Sequence, residues 1–341
     1  MTPALCRRGA SGWGDSVAAT AERASDDTFR HASWPVAVRL LLALALSLGL
    51  VSHAPAQQLS FRHEPAGESV ALSWRFRDAA GQVADIAIRL PTAEVESALA
   101  SLRTFSLPDL YGHLEIAAVE AGRRDGVTVT PRREGAGVAF RIEGSDQRRL
   151  SAFQGKLGAI LENAREGYLR RHLRRAEGPN IYVDHVAATL KHAPVLRGLA
   201  QALAIEGEER SKVALAMTFL QAIPYDDFTD PRTTGGIDFA APPAMLRINK
   251  GDCDGKSVAL AALLRTLVPA RKLAFVIVPN HVFLAIDLPV REGDATILHE
   301  GVRYVVLEPT GPDFAPPGVA GQQSAWFIAN PGPQLTVLPV R

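Results

Sequence analysis

Cysteine is scarce in this chain of 341 residues, which contains only Cys6 and Cys253. Two thiols exclude a disulfide-rich scaffold and a zinc module built from several cysteines. A charge excess is also missing, because 37 Lys and Arg residues are balanced by 36 Asp and Glu residues. A net charge of +1 argues against binding to nucleic acid or anionic lipid through bulk electrostatics. We therefore expect no nucleic acid among the partners of this protein.

The N-terminal part contains one apolar run, residues 40–51, which follows Arg39 and precedes the small-residue triplet Ala-Pro-Ala at 54–56. A positive residue, a short apolar run and a small-x-small triplet are typical of a secretory signal peptide. The run is too short to span a bilayer comfortably. We therefore expect cleavage near Ala56, a periplasmic or extracellular protein, and no stable membrane anchor after cleavage.

Hydrophobic periodicity predicts a mixed α+β chain. Alternating apolar and polar residues predict strands, and apolar residues spaced by three or four predict helices. The segment 225–250 shows neither pattern and is predicted to be irregular. The predicted strands are 69–76, 83–90, 127–130, 138–142, 272–278, 281–288 and 304–308, and the predicted helices are 91–105, 146–177, 184–203 (with a break near Pro194), 209–223 and 254–267.

Cys253 stands at the predicted start of an apolar helix, directly after Gly251 and Asp252. Asp252 is a good N-cap residue. A thiol in the first helical turn lies near unpaired backbone N–H groups, which favour the thiolate. The flanking Asp252 and Asp254 oppose the thiolate by like charge, so a useful nucleophile needs a cationic partner. Cleavage near Ala56 would remove Cys6 and leave Cys253 as the one cysteine. In an exported chain such a lone thiol is a liability unless it is used.

His281 is the candidate partner of this thiol, because it opens an apolar strand directly after Pro279 and Asn280. A Cys–His pair can supply a nucleophile and a proton carrier for the leaving group. Glu308 is the candidate for a third group that orients the imidazole. It ends the apolar strand at 304–308, where a carboxylate is costly unless it is paired.

Four short motifs then carry a family resemblance. The sequence GDCDGKSVALAALL at 251–264 resembles the nucleophile helix of the transglutaminase-like superfamily of cysteine enzymes. NHVFLA at 280–285 and VLEPT at 306–310 follow in that family's order of Cys, His and acid. QAIPY at 221–225, followed by two Asp residues, resembles the segment before the nucleophile in bacterial members. The resemblance covers residues 203–310.

The resemblance implies a papain-like core, in which the nucleophile helix packs on an antiparallel sheet. By similarity Cys253 is the nucleophile, His281 the base and Glu308 the orienting acid, although the family more commonly uses Asp there. The backbone N–H of Cys253 is a predicted oxyanion donor. Gln221 and Tyr225 are further candidates for contacts with the oxyanion or the substrate. The family's frequent Trp, two residues after the His, is Phe283 here.

A metal centre is not expected, and neither is a cofactor. One thiol and one imidazole with adjacent carboxylates do not match zinc-ligand spacing. Some transglutaminases bind calcium, but the acidic segment 226–230 has no EF-hand pattern. We expect that segment to be a solvated loop.

These observations predict an α+β protein with a transglutaminase-like core. The predicted function is an exported amide hydrolase that cleaves a protein or peptide through a thioester on Cys253. Two alternatives stay open: acyl transfer from glutamine to an amine, as in a transglutaminase, and a binding module that keeps the fold without the chemistry. The predicted divisions are an N-terminal extension and signal (1–56), an α+β region (57–144), a helical connector (145–202) and a catalytic domain (203–341).

Overall fold

The computed structural model describes residues 58–78, 80–102, 105–135, 137–178, 180–228, 239–311, 314–332 and 336–340. The expected signal peptide and its cleavage near Ala56 lie outside these residues. Within the described ranges, no helix is both long enough and apolar enough to cross a membrane.

The described chain begins with a three-stranded antiparallel meander of β1 (Gln58–Ala66), β2 (Ser69–Arg77) and β3 (Val83–Pro91). Alternate residues of β2 and β3 are buried, as the two-residue period of their sequences predicts. Helix α1 (Thr92–Ser101) follows directly. The helix predicted over 91–105 therefore exists but ends earlier than its apolar pattern indicated.

The next unit pairs two helices, α2 (Leu107–Asp125) and α3 (Gln147–Arg171), and joins them by the hairpin β4 (Thr128–Glu134) and β5 (Gly137–Glu143). Helix α2 was not predicted. Helix α3 stops before the predicted end at 177, because Leu173 has a positive φ of 53°. A short hairpin of β6 (Arg174–Glu177) and β7 (Asn180–Val183) follows.

A cluster of helices then surrounds the predicted nucleophile helix, α8 (Cys253–Leu267), which is buried along most of its length. It packs against four other helices. The predicted helix 184–203 is interrupted, as expected near Pro194, and forms α4 and α5. The prediction of irregular structure over 225–250 was wrong at α7, whose buried residues are apolar. The four helices are α4 (His185–His192), α5 (Arg197–Ala202), α6 (Glu209–Ala222) and α7 (Pro242–Ile248).

The C-terminal part forms a five-stranded sheet in which every pair is antiparallel. Its spatial order is β10-β11-β9-β8-β12, and α8 packs on β9. Two of its strands, β10 and β12, were not predicted. The chain is thus α+β with antiparallel sheets, as predicted. The elements are β8 (Leu273–Val278), β9 (His281–Ile286), β10 (Thr296–His299), β11 (Val302–Leu307), α9 (Gln322–Ala329) and β12 (Thr336–Val340).

The N-terminal meander shares a hydrophobic core with the helices around α8. Phe219 of α6 packs edge-on against Trp74 and Phe76 of β2, with ring centroids 5.2 and 5.7 Å apart. Trp74 Nε1 also donates a 3.0 Å hydrogen bond to Asn249 Oδ1. Asn249 ends α7 in the left-handed conformation, with φ 55°. The meander therefore supports the turn that leads into Cys253.

Candidate active site

Cys253 is the first residue of α8 and is 1% exposed. The Asp252 side chain caps the helix by accepting a 2.7 Å hydrogen bond from the Gly255 N–H. The cap was predicted from the sequence, and it holds the thiol in the first turn of α8. Backbone N–H groups at a helix start carry partial positive charge, which favours an anionic sulfur there.

The residues just before Cys253 are tied to the segment that contains Tyr225. Gly251 N–H donates to Pro224 O, and Asp226 N–H donates to Gly251 O, both at 3.2 Å. A Cβ on Gly251 would lie 2.6 Å from Met245 Sδ, so a larger residue there would have to displace the buried Met245 side chain. The predicted substrate-contact residue Tyr225 is thereby held beside the turn that precedes Cys253, while its role stays a prediction.

His281 and Glu308 come together at one end of the C-terminal sheet. Asn280, with φ 59°, makes the tight turn that places His281 at the start of β9. Leu307 pairs with Leu284, so Glu308 continues β11 on a diagonal to His281. His281 Nε2 lies 3.0 Å from Glu308 Oε2. This pairing follows from the antiparallel register.

The hydrogen bond to Glu308 also selects the tautomer of His281. A carboxylate only accepts hydrogen bonds, so the Nε2 nitrogen is the donor. Nδ1 is then the basic nitrogen of the neutral ring. Phe283 is fully buried and stacks on the imidazole with centroids 5.8 Å apart.

Two further groups hold the Glu308 carboxylate. Its Oε1 accepts hydrogen bonds from the Ser324 hydroxyl of α9 and from the Gly321 N–H at the start of that helix. Glu308 is 7% exposed, so these contacts replace water around a buried acid. Sequence reasoning missed Ser324, since nothing in its local sequence marks a partner for an acid in the preceding strand.

The helix face that carries Cys253 lies against the beginning of β9. Ser257 is four residues after Cys253 and therefore on the same face of α8. Its hydroxyl donates a 3.2 Å hydrogen bond to the carbonyl of Val282, the residue next to His281. The structure thus brings the start of α8, with Cys253, and the start of β9, with His281, to the same end of the contact between this helix and the sheet.

The side chain of Gln221 binds two backbone carbonyls. Its Nε2 donates to the carbonyls of Glu308 (2.7 Å) and Ala315 (2.9 Å), which uses both amide hydrogens. In this arrangement both amide hydrogens are used within the protein, while a contact between Gln221 and a substrate stays a prediction. Gln221 supports the backbone that carries Glu308.

In the acidic segment 226–230, the side chain of Asp226 has partners within the protein. Asp226 forms an ion pair with Lys250 (3.0 Å) and accepts a hydrogen bond from the Phe228 N–H. Asp230 lies outside the described residues. Among the described residues, no group of three or more His, Cys, Asp or Glu side chains is arranged to hold a metal ion.

Lys256 is a second residue that sequence reasoning left without a role. It is fully buried, and its Nζ donates to the carbonyls of Ile223 and Thr310, both at 2.6 Å. Burial lowers its pKa from 10.5 to about 7, against the opposing attraction of Asp252. A neutral amine still has two N–H donors for the two carbonyls. Lys256 thus fastens the segments before Tyr225 and after Glu308 to α8 in either protonation state.

We expect Lys256 to make the protein more stable as the pH rises above about 7. Between the folded pKa of about 7 and the unfolded value of 10.5, the unfolded chain holds a proton that the folded chain has lost. The free energy of unfolding should therefore rise by up to about 1.4 kcal/mol per pH unit. Below the folded pKa both states are protonated and this slope vanishes.

The measurement is urea unfolding of the wild type and Lys256→Met between about pH 6 and pH 10. The difference in unfolding free energy between the two proteins should change with pH, with the slope given above. Lys156→Met, at a half-exposed lysine, serves as the control. A difference that stays constant across this range would contradict the prediction.

The comparisons with known proteins give no relative on which to base the function of this site. No protein-family model, curated protein or solved structure matches the chain. The function is therefore inferred from the residues of the site itself.

Proposed function

We propose that this chain is an exported cysteine-dependent amide hydrolase of the transglutaminase-like type, with a papain-like core. In this proposal Cys253 is the nucleophile, His281 the base and Glu308 the orienting acid. The observation that carries the proposal is the 3.0 Å hydrogen bond between His281 and the buried Glu308, at the end of β9 that lies against the start of α8. Local sequence alone does not require these two residues to meet.

The proposed reaction proceeds through a thioester. The Cys253 thiol gives its proton to His281 Nδ1, and the thiolate attacks the carbonyl carbon of the amide. The resulting oxyanion is stabilised by the Cys253 backbone N–H at the helix start. The C–N bond then breaks as His281 returns the proton to the leaving amine. Water, deprotonated by His281, attacks the thioester and releases a carboxylic acid and the free thiol.

Glu308 supports this cycle by holding the imidazole at Nε2, so that Nδ1 keeps one orientation throughout. It also stabilises the imidazolium that forms while the thiol is ionised. Ser324 and Gly321 restrain the carboxylate in turn. A triad whose third member is anchored by two donors is favourable for catalysis, because little reorganisation is needed during proton transfer.

One observation favours a second candidate function. Cys253 is 1% exposed, and a buried thiol is also what a binding module without chemistry would have. In that case the chain keeps the fold, and His281 and Glu308 form a structural hydrogen bond. Reactivity of the thiol separates the two functions.

The test is acylation of Cys253 by p-nitrophenyl acetate. We expect a burst of p-nitrophenol and one acetyl group on the peptide that contains Cys253, both absent in Cys253→Ala. Cleavage of succinylated casein, which exposes new amino groups, tests amide hydrolysis with the same two proteins. Added putrescine would turn the product from acetate into an acetylated amine if acyl transfer dominates. A wild-type protein that acquires no acetyl group and cleaves no casein would exclude the enzyme.

A further inference from the structure

A second imidazole lies against the carboxylate that follows Cys253. His185 Nε2 on α4 is 2.5 Å from Asp254 Oδ1. The other oxygen of the same carboxylate, Oδ2, is 3.9 Å from Cys253 Sγ. Asp254 thus links the thiol to a helix that contains none of the proposed catalytic residues. The triad makes no use of this link.

Both members of this pair are buried. His185 is 0% exposed and its ring packs against Phe275, with centroids 5.0 Å apart. A carboxylate only accepts hydrogen bonds, so His185 Nε2 is the donor. The other ring nitrogen, Nδ1, is buried and has no hydrogen-bond partner among the described residues. Asp254 is therefore the polar group toward which this histidine is oriented.

The hydrogen bond between His185 and Asp254 affects the charge next to the Cys253 thiol. A carboxylate beside a thiolate disfavours the thiolate by like-charge repulsion. The Asp252 carboxylate is engaged by the Gly255 N–H, and Asp254 is engaged by His185. The buried side chains of α5, α6 and α7 carry no charge. The other titratable side chains on α4, α8 and β9 and just after β11 are His192, Lys256, His281, Glu308 and the exposed Lys191 and Arg265, and Tyr225 lies beside the turn before Cys253.

We propose that His185 is a positioning residue for the nucleophile. Its Nε2–H holds the Asp254 carboxylate and offsets its charge, so that the Cys253 thiolate forms at a lower pH than it would beside an unbonded carboxylate. The proposal rests on the proposed function, because it concerns the same thiol. Proton transfer stays balanced: the proton of Cys253 goes to His281, and the Nε2 proton of His185 stays within its hydrogen bond to Asp254.

The test is the pH dependence of iodoacetamide alkylation at Cys253 in His185→Phe, which removes the donor and keeps a ring. We expect the apparent thiol pKa to rise by about one unit and the rate at pH values below the inflection to fall about threefold. His185→Gln retains a neutral N–H donor and should stay within about twofold of wild type. If His185→Gln keeps the wild-type alkylation profile and His185→Phe does not, the effect of His185 comes from its N–H donor and not from the volume of its side chain.

His192→Phe is the matched control. His192 lies on the same helix, is 2% exposed, and neither of its ring nitrogens has a hydrogen-bond partner among the described residues. Burial lowers its pKa to about 4, so it carries no charge near neutral pH. We expect no shift in the alkylation profile. Equal shifts in the His185 and His192 variants would overturn the proposal and show a general effect of altering α4.

Asp254→Asn tests the same link from its other end and does not require His185→Phe to fold. Without the carboxylate charge, the apparent thiol pKa should fall, and a further His185→Gln or His185→Phe change should have no effect. An unchanged thiol pKa in Asp254→Asn would overturn the proposal. The proposed function fails separately, because its failure appears as an unreactive thiol in the wild type itself.

Discussion

Replacing His281 by Ala is expected to lower the rate of Cys253 alkylation at about pH 6.5 by roughly fivefold. An ordinary cysteine has a pKa of about 8.5, so about one per cent is thiolate at that pH. An imidazolium partner that lowers the thiol pKa by about two units raises the thiolate fraction at this pH to about half, which is an increase of about fiftyfold. A less basic thiolate is intrinsically less nucleophilic, which cancels about a factor of ten. The remaining factor is what the variant loses.

The shape of the pH profile is the sharper readout. In the wild type the inflection should lie well below the ordinary cysteine value, and in His281→Ala it should return toward about 8.5. Glu308→Gln should give a smaller shift, since the ring remains but its carboxylate partner is neutral. His299→Ala, at a histidine on β10 in the same sheet, is the control. Peptide mass spectrometry distinguishes Cys253 from Cys6.

A profile that does not change between the wild type and His281→Ala would contradict the triad. It would leave the hydrogen bond between His281 and Glu308 as a structural feature of the sheet end. The buried thiol would then behave as a small hydrophobic residue, and the binding module would become the better description.

The second large effect is expected in the core. Phe219→Ala should lower the free energy of unfolding by about 3–5 kcal/mol, because it removes a fully buried ring and leaves a cavity. The lost ring contacts both Trp74 and Phe76 of the N-terminal meander. Urea unfolding should therefore show a single transition that moves as a whole, with an unchanged slope.

This measurement also tests the predicted boundary at residue 144. If residues 57–144 unfold on their own, two transitions should appear, and Phe219→Ala should separate them further. Leu298→Ala, at a side chain that is 64% exposed, is the control and should change stability by less than about 0.5 kcal/mol. Far-UV circular dichroism and tryptophan fluorescence, followed together, report whether the transitions coincide.

The sequence was informative wherever one local rule acted without competition. The two-residue alternation of β2 and the three-to-four-residue period of α8 both predicted elements that the structure contains. The structure differs where a pattern was weak or where one residue overrode it. Leu173, with its positive φ, ends α3 early, and the proline-rich start of α7 concealed a short buried helix.

The candidate site shows the same division. An aspartate before Cys253, a histidine that opens an apolar strand and an acid that ends another are local features, and each was recognisable in the sequence. The sequence also indicated that the carboxylates beside Cys253 require compensation. It did not indicate that the compensating group is His185, which is separated from Asp254 by 69 residues.

By itself, the sequence determined the α+β class, the capped start of α8 at Cys253 and the order of thiol, imidazole and acid along the chain. Only the tertiary structure decided that His281 forms a hydrogen bond with Glu308 and that Ser324 restrains this acid. The same holds for the two hydrogen bonds that the Gln221 amide donates to backbone carbonyls, and for the contact of His185 with Asp254. The physical reason is that caps and periodicity act between near neighbours. The partner of a buried polar group is set by which elements pack together, and that arrangement depends on the whole core.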